Sequence, residues 1–430
     1  MLKNLDLKEI GPAAELNLEF SPRLNFLTGD NGLGKSFVLD TAWWVLTRTW
    51  ARGIKAVPGD DANKPSIGFS YTKSSNGSIT DTSAFIRRTQ SWPLKKGRPA
   101  IPGVVIYAGV DGSFSVWDPA RNYWKNDEEG SVERPKSFDF TPEQVWKGLV
   151  TPDGVTHCVG LINDWVLWQR GQEPEFDSLT KVLEVLSPSE AERLTPGKPT
   201  RIGEDAHYLP SLKMPYGQDV ALPLASAGMR RVCALAYLLV WTWHEHIKYS
   251  KKYGVKPARE IVFLIDEIEC HLHPQWQRRI VPALLKVMSE LTGIHKMPIQ
   301  VIAATHSPLV LASAEPLYVL GKDGIIDFDL VGQNVEVKNL PFTRKGDVNG
   351  WLSSEIFNLQ EPRSLEAERA LTKALTLLRN LNNSAHDKIF TREEKDSIRD
   401  VDKELRESLS DVDRFWVRWS SFSDSALRKK

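Results

Sequence analysis

Cysteine is scarce in this chain of 430 residues: Cys158, Cys233 and Cys270 are too few and too scattered for a disulfide framework. An excess of one charge is also missing, since 55 Lys and Arg balance 55 Asp and Glu. The molecule is therefore not coated with positive charge, and contact with nucleic acid would need a local patch. Long apolar runs are absent. The longest, around 234–243, falls far short of a membrane span. The opening MLKNLDLKEIGPAAEL has no apolar stretch long enough for a secretion signal. A cytoplasmic protein with no membrane contact is expected. Neither an internal repeat nor a low-complexity tract is evident.

What is present is an ordinary globular composition, 41% hydrophobic and 26% charged, at a length that suits two or three domains. The first thirty residues read as short alternating strands, ending in RLNFLTG, which runs into a glycine loop. SFVLDTAWWVLTRTW then reads as a helix, and SIGFSY and TSAFIRRT as strands. GVVIYAGVDGSFSVWD predicts a hairpin turning at Asp111 and Gly112. Residues 91–223 are rich in Pro, Gly and Trp without a heptad pattern, and a compact insertion is expected there. Its tryptophans Trp117, Trp124, Trp146, Trp165 and Trp168 suit a core better than a base-stacking platform. A long helix follows from about 228 to 248. IVFLID and IQVIAAT, separated by a helical stretch, then predict two buried parallel strands. Beyond two short strands at 324–340 the remainder reads as helix. One apolar stripe runs through Leu371, Leu375, Leu378 and Leu381, and another through Ile398, Val401, Leu405, Leu409 and Val412.

The sharpest chemical signal is the octet Gly29, Asp30, Asn31, Gly32, Leu33, Gly34, Lys35 and Ser36, followed by Phe37. Its glycines let backbone amides turn inward around phosphates, Lys35 adds a point charge, and the Ser36 hydroxyl suits magnesium. The loop lies between an apolar strand and a helix N-terminus, the arrangement that binds phosphate. Asp266 and Glu267 close the strand IVFLID, where the first would hold magnesium and the second would polarise an attacking water. His306 ends the next buried strand and could bond a γ phosphate. His271 and His273 lack the further ligands that zinc would require. Ser226 and Gly228 begin the long helix, where an N-terminus offers donors to an anion.

Together these segments resemble the ABC-type ATPase heads of the group containing RecF, the SMC proteins and the OLD nucleases. The resemblance covers the first ninety residues and about 224–340. GDNGLGKS is similar to Walker A, IVFLIDE to Walker B with its catalytic glutamate, ECHLHPQ to the D-loop and ATHSP to the histidine switch. LASAGMRR stands where the signature motif should, with Ala227 replacing its first glycine and Met229 its glutamine. The resemblance implies an α/β P-loop fold, with a mixed or antiparallel N-terminal lobe and a parallel core sheet. It also implies ATP and magnesium as cofactors, and a homodimer in which Ser226 and Gly228 complete the partner copy's site. Gln90 is the candidate for a glutamine that touches magnesium. The implied layout is a head at 1–90 and 224–345, an insertion at 91–223 and a helical partner-binding region at 346–430.

The lack of a long coiled coil or a full nuclease domain resembles the PtuA-like ATPase subunits of Septu-type anti-phage systems. That likeness implies a separate effector such as an HNH nuclease. An OLD-like nuclease using Asp327 and Asp329, or a transporter ATPase, is the alternative. Arg87, Arg88, Lys95, Lys96 and Arg98, with Trp92 among them, form a candidate DNA contact. Phe415, Trp416 and Trp419 could dock on the head or anchor a partner.

Overall fold

The computed structural model describes residues 1–72, 77–93, 103–122, 125–126, 132–133, 136–204, 206–294, 297–359, 363–382 and 390–428. Lys95, Lys96, Arg98 and Trp124 lie outside them. The described chain divides into two units, Met1–Trp351 and Leu352–Lys430.

In the first unit, β1 (Leu2–Lys8), β2 (Glu15–Glu19), β4 (Ser66–Thr72) and β5 (Ser78–Ala84) form an antiparallel sheet in the order β2-β1-β4-β5. The alternation read in the sequence is real here. Leu5, Leu7, Leu16 and Leu18 are buried, while Glu15, Asn17 and Glu19 are exposed. The larger sheet takes β3 (Leu24–Gly29), β6 (Val104–Ala108), β7 (Phe114–Trp117), β8 (Phe138–Phe140), β9 (Ile261–Ile265), β10 (Ile299–Ala304), β11 (Asp323–Val331) and β12 (Asn334–Leu340). Its order is β8-β7-β6-β9-β10-β3-β11-β12. Strands β6, β9, β10, β3 and β11 run parallel, and the outer ones are antiparallel. Every residue of β9 and β10 is buried, which is why both read as unbroken apolar runs.

Helix α1 (Lys35–Thr47) joins the two sheets through one core. Val38, Leu39, Trp43 and Trp44 pack with Leu5, Leu7 and Phe69 from one sheet and with Leu27, Leu264 and Ile302 from the other. Each such fully buried side chain contributes about 1.5–3 kcal/mol of hydrophobic stabilisation before entropy is counted. The phosphate loop is thus mounted on an immobilised helix and a central strand.

Two boundaries differ from the expectation. The stretch 91–223 is not wholly an insertion, because β6, β7 and β8 belong to the core sheet and β6 pairs directly with β9. All five residues of β6 are buried, as a parallel strand covered on both faces must be. The predicted hairpin does form, with Gly112 at φ 87° in its turn. Trp117 and Trp165 are fully buried and Trp146 and Trp168 half-buried, so these four are packing residues.

The second unit begins at Leu352 rather than 346 and holds α7 (Leu365–Asn382), α8 (Arg392–Ser408) and α9 (Phe415–Arg428), numbered after five further helices of the first unit: α2 (Leu161–Gly171), α3 (Pro174–Leu186), α4 (Ala227–Lys252), α5 (Pro274–Thr292) and α6 (Pro308–Ala314). Thr391 and Glu394 form the capping box read for α8. That helix stops at Ser408, leaving Val412 88% exposed instead of continuing the stripe. Trp419 is internal to this unit: it is fully buried with Leu371, Ile398 and Leu405, and its indole N–H donates to Asp402 at 2.9 Å. It is not free to anchor a partner. Among the described residues, no helix is long and apolar enough to cross a membrane.

Trp419→Ala should cost the second unit about 3–5 kcal/mol, because it opens a cavity in that core and removes the indole donor to Asp402. The measurement is a urea titration followed by far-ultraviolet circular dichroism. A midpoint unchanged from the parent would show that Trp419 is not a core residue.

Candidate nucleotide-binding site

The loop between β3 and α1 has the backbone that a phosphate cradle requires. Gly29, Gly32 and Gly34 have φ of 111°, 80° and 99°, values that L side chains rarely adopt. At Gly29 space is decisive as well as conformation: an added Cβ would lie 2.0 Å from the Phe328 carbonyl oxygen on β11. Lys35 is 6% exposed, and its ammonium donates to the carbonyls of Gly29 and Asp30 at 2.8 and 2.7 Å. The cation is folded over its own loop. Burial lowers its pKa, against the opposing pull of Asp266, Asp30, Glu267 and Asp327.

Asp266 follows β9 and is buried, with its amide donating to Ala108 at 2.9 Å. Burial raises its pKa, while a hydrogen bond from the Ser36 hydroxyl and the charges of Arg52 and Lys35 oppose that rise. The structure thus brings together Ser36 and Asp266, two hard oxygen donors fitted to a magnesium ion. Glu267 is half-buried and sits at φ 48°, a left-handed conformation uncommon for a residue with a side chain. His306 follows β10. Its pKa is lowered by burial and by the Lys35 ammonium, opposed by Glu269, Glu267 and Asp30, so its ring is neutral at pH 7. Strand β10 lies between β9 and β3, so His306 leaves the sheet between the acidic strand end and the phosphate loop.

Ser226 caps α4, its hydroxyl accepting from the Met229 amide at 3.3 Å, and it is exposed. Gly228 is buried, and a Cβ there would lie 2.9 Å from the His271 carbonyl oxygen. The start of α4 therefore packs on the loop that follows Glu267. Arg231, one turn further along, donates to the carbonyls of Gly109 and Val110 at 3.0 and 3.1 Å, binding α4 to the end of β6. A cleft of about 420 Å³ opens beside α1, lined by Gly11, Phe37, Asp40, Ile54, Ala56 and Val57 among others.

The family model described as "AAA domain, putative AbiEii toxin, Type IV TA system" matches residues 165–312. "Septu protein PtuA" of Bacillus thuringiensis is 23% identical over 421 residues, covering 91% of this chain and 91% of that protein. The chain is an ATPase similar to PtuA along nearly its whole length. "Retron Ec83 probable ATPase" of Escherichia coli is 30% identical over 123 residues, 28% of this chain and 18% of that protein. The SMC head domain from Thermotoga maritima superposes with a TM-score of 0.39 at 17% identity, covering 79% of this chain and 99% of that one.

Gln90 is exposed on a turn at φ 47°, where its side-chain nitrogen donates to the Arg87 carbonyl at 2.8 Å. Other sequence readings come out differently. Arg87 is engaged too, holding the carbonyls of Gly59, Asp60 and Ala62 at 2.6–3.1 Å. Trp92 is buried, and its N–H donates to Ala56 at 2.8 Å, so the aromatic of the candidate DNA patch is a core residue. Asp327 and Asp329 do not act as a pair. Asp327 is buried and accepts from the Thr28 hydroxyl at 2.7 Å beneath the phosphate loop, whereas Asp329 pairs with Lys338 at 3.0 Å. Two residues apart on β11, the two share a face and differ in depth: Asp327 lies opposite Thr28 of β3, whereas Asp329 lies beyond the last β3 partner, near the exposed end of the strand. His273 is the N-cap of α5.

Sequence reading passed over Glu269 and Arg231. Glu269 receives the Thr305 hydroxyl at 2.7 Å and the His306 amide at 2.5 Å. In the sequence it stood only as the first residue of the D-loop-like stretch ECHLHPQ, with no role given to its carboxylate. Arg231 had none, because its acceptors are backbone carbonyls.

Gly29→Ala should abolish nucleotide binding, since the loop can house a methyl group only by shifting away from Phe328. Fluorescent-nucleotide titration measures this, and wild-type affinity would contradict the geometry. Arg231→Ala should lower stability by about 1.5–3 kcal/mol, the scale of hydrogen bonding from a charged group, measurable by thermal denaturation.

Proposed function

We propose that the chain is a nucleotide-driven switch that hydrolyses ATP with magnesium, closes as a homodimer and governs a separate effector in anti-phage defence. The convergence of Lys35, Ser36, Asp266, Glu267 and His306 on one edge of the core sheet carries the reading. Asp30, Asn31, Gly32, Leu33 and Gly34 would present amides to the phosphates, and Lys35 would move from its own loop's carbonyls to the triphosphate. Magnesium would be held by Ser36 and Asp266, where it would neutralise phosphate charge. Glu267 would orient and deprotonate the attacking water, and neutral His306 would donate one ring N–H to the γ phosphate. The cleft beside Phe37 and Asp40, lined by Ile54 and Val57 as well as by Glu9 and Lys55, would receive the base.

Closure rests on Ser226 and the buried Gly228, which offer the N-terminus of α4 to the other copy's phosphate. The relationship to PtuA over nearly the whole chain supports the defence role, and the second unit is the proposed seat of the effector, an HNH nuclease being the expected kind. Ala227 and Met229 weaken the signature, so closure should depend strongly on the γ phosphate.

The test is Glu267→Gln. It should keep ATP affinity, lose turnover by at least about a hundredfold as expected for a general base, and accumulate a dimer or larger species in ATP by light scattering. Unchanged hydrolysis removes Glu267 from this role, and a monomer at saturating ATP removes the switch.

A further inference from the structure

The loop carrying Glu267 and the loop carrying His306 are bonded to one another at three levels. The Ile268 amide donates to the Ala304 carbonyl at 3.1 Å, continuing the pairing of β9 with β10 beyond the strand ends. Glu269 follows: one carboxylate oxygen accepts from the His306 amide and the other from the Thr305 hydroxyl. Gln277 on α5 completes the set. Its side-chain oxygen accepts from the Ser307 hydroxyl at 2.8 Å, and its nitrogen donates to the Leu272 carbonyl at 3.0 Å. Thr305 is fully buried and its hydroxyl also receives the Ser307 amide at 3.1 Å, so the turn around His306 has little freedom. From Glu269 the loop runs to His271, whose carbonyl lies against Gly228 at the start of α4.

We propose that Glu269 is a positioning residue that fixes the backbone of His306 to the loop at 267–273, so that the γ-phosphate contact and the start of α4 move together. The carboxylate does not reach the reacting atoms in this arrangement. It acts through His306, holding the imidazole in place on one side and, through the loop, Gly228 and Ser226 on the other. A carboxylate suits the task because it is acceptor-only, with two oxygens that take the amide and the hydroxyl at once. The inference rests on the ATPase reading for its consequence in turnover, and on the hydrogen bonds alone for its structural content.

Two substitutions separate positioning from general support. Glu269→Ala removes both acceptors. Glu269→Gln keeps one oxygen for the His306 amide and can donate to the Thr305 hydroxyl, so it should restore the bond. In steady-state ATP hydrolysis, Glu269→Ala should lower kcat roughly tenfold or more, the scale set by misplacing a group that must meet the transition state. Its affinity for the nucleotide should stay within about threefold of the parent's, because the phosphate loop is untouched. Glu269→Gln should recover most of kcat. Independently of turnover, hydrogen–deuterium exchange without nucleotide should show the His306 amide losing protection in Glu269→Ala and keeping it in Glu269→Gln.

The proposal is overturned if the alanine variant keeps both kcat and protection. It is also overturned if affinity and kcat fall in parallel, or if the glutamine variant is as defective as the alanine one. A parent protein that neither binds nor hydrolyses ATP would sink the functional reading instead, and the exchange measurement would still decide whether Glu269 holds His306.

Discussion

Parallel pairing in register is the constraint on which the site depends. Ile265 of β9 lies opposite Ala303 of β10 and Ala108 of β6, Ala304 lies opposite Leu27 of β3, and Phe328 of β11 lies opposite Gly29. The carboxyl ends of β6, β9, β10 and β3 are therefore abreast, while β11 runs on to Val331, and the reactive groups come in the next one or two residues: the phosphate loop after Gly29, Asp266 after Ile265, Thr305 and His306 after Ala304. A parallel sheet makes this possible because every strand delivers its loop to the same edge. Side-chain alternation makes it exacting, since a slip of one residue in β9 would turn Asp266 to the other face. The core holding α1 between the two sheets resists such a slip.

Much of the head was legible because its signals are local. A glycine loop between a strand and a helix announces itself in eight residues, and strands covered on both faces announce themselves as unbroken apolar runs. Asp266, Glu267 and His306 were readable since each stands at the end of such a run. The misreadings share one cause, which is pairing across long sequence distances. The segment with β6 looked like part of an insertion, because nothing in VVIYA names Ile261–Ile265, more than 150 residues away, as its neighbour. Asp327 looked like half of a metal motif until Thr28, 299 residues distant in sequence, proved to be its partner. Gln90 was assigned by family position, and its side-chain nitrogen closes its own turn on the Arg87 carbonyl.

The second unit shows the same limit in another form. Periodicity located its helices and the Thr391 cap, but a stripe alone does not reveal where a helix stops. Ser408 ends α8, so Val412 lies exposed while Trp419, on the following helix, turns inward to Asp402. An aromatic near a chain end is as apt to complete a small core as to recruit a partner, and only its hydrogen-bond partner distinguishes the two.

Strain gives the loop after β9 its character. Glu267 and His271 both hold positive φ, at 48° and 61°, although each carries a side chain and would adopt an extended or helical backbone at lower cost. Two such residues within five cost about 1–3 kcal/mol each, so the loop persists only because its surroundings over-determine it. Those surroundings are identifiable. The Cys270 amide donates to Glu267, the Leu272 amide to Glu269, Ile268 is tied to Ala304, and the Glu269 carboxylate grips the turn at His306. The left-handed turn at Glu267 breaks the strand's alternation, which frees that carboxylate from the direction β9 would have imposed. A segment whose shape is unfavourable alone and enforced by contacts with His306 and Gly228 cannot relax piecemeal. Any rearrangement at one of its ends must be transmitted to the other, and that property is what a nucleotide-dependent switch demands.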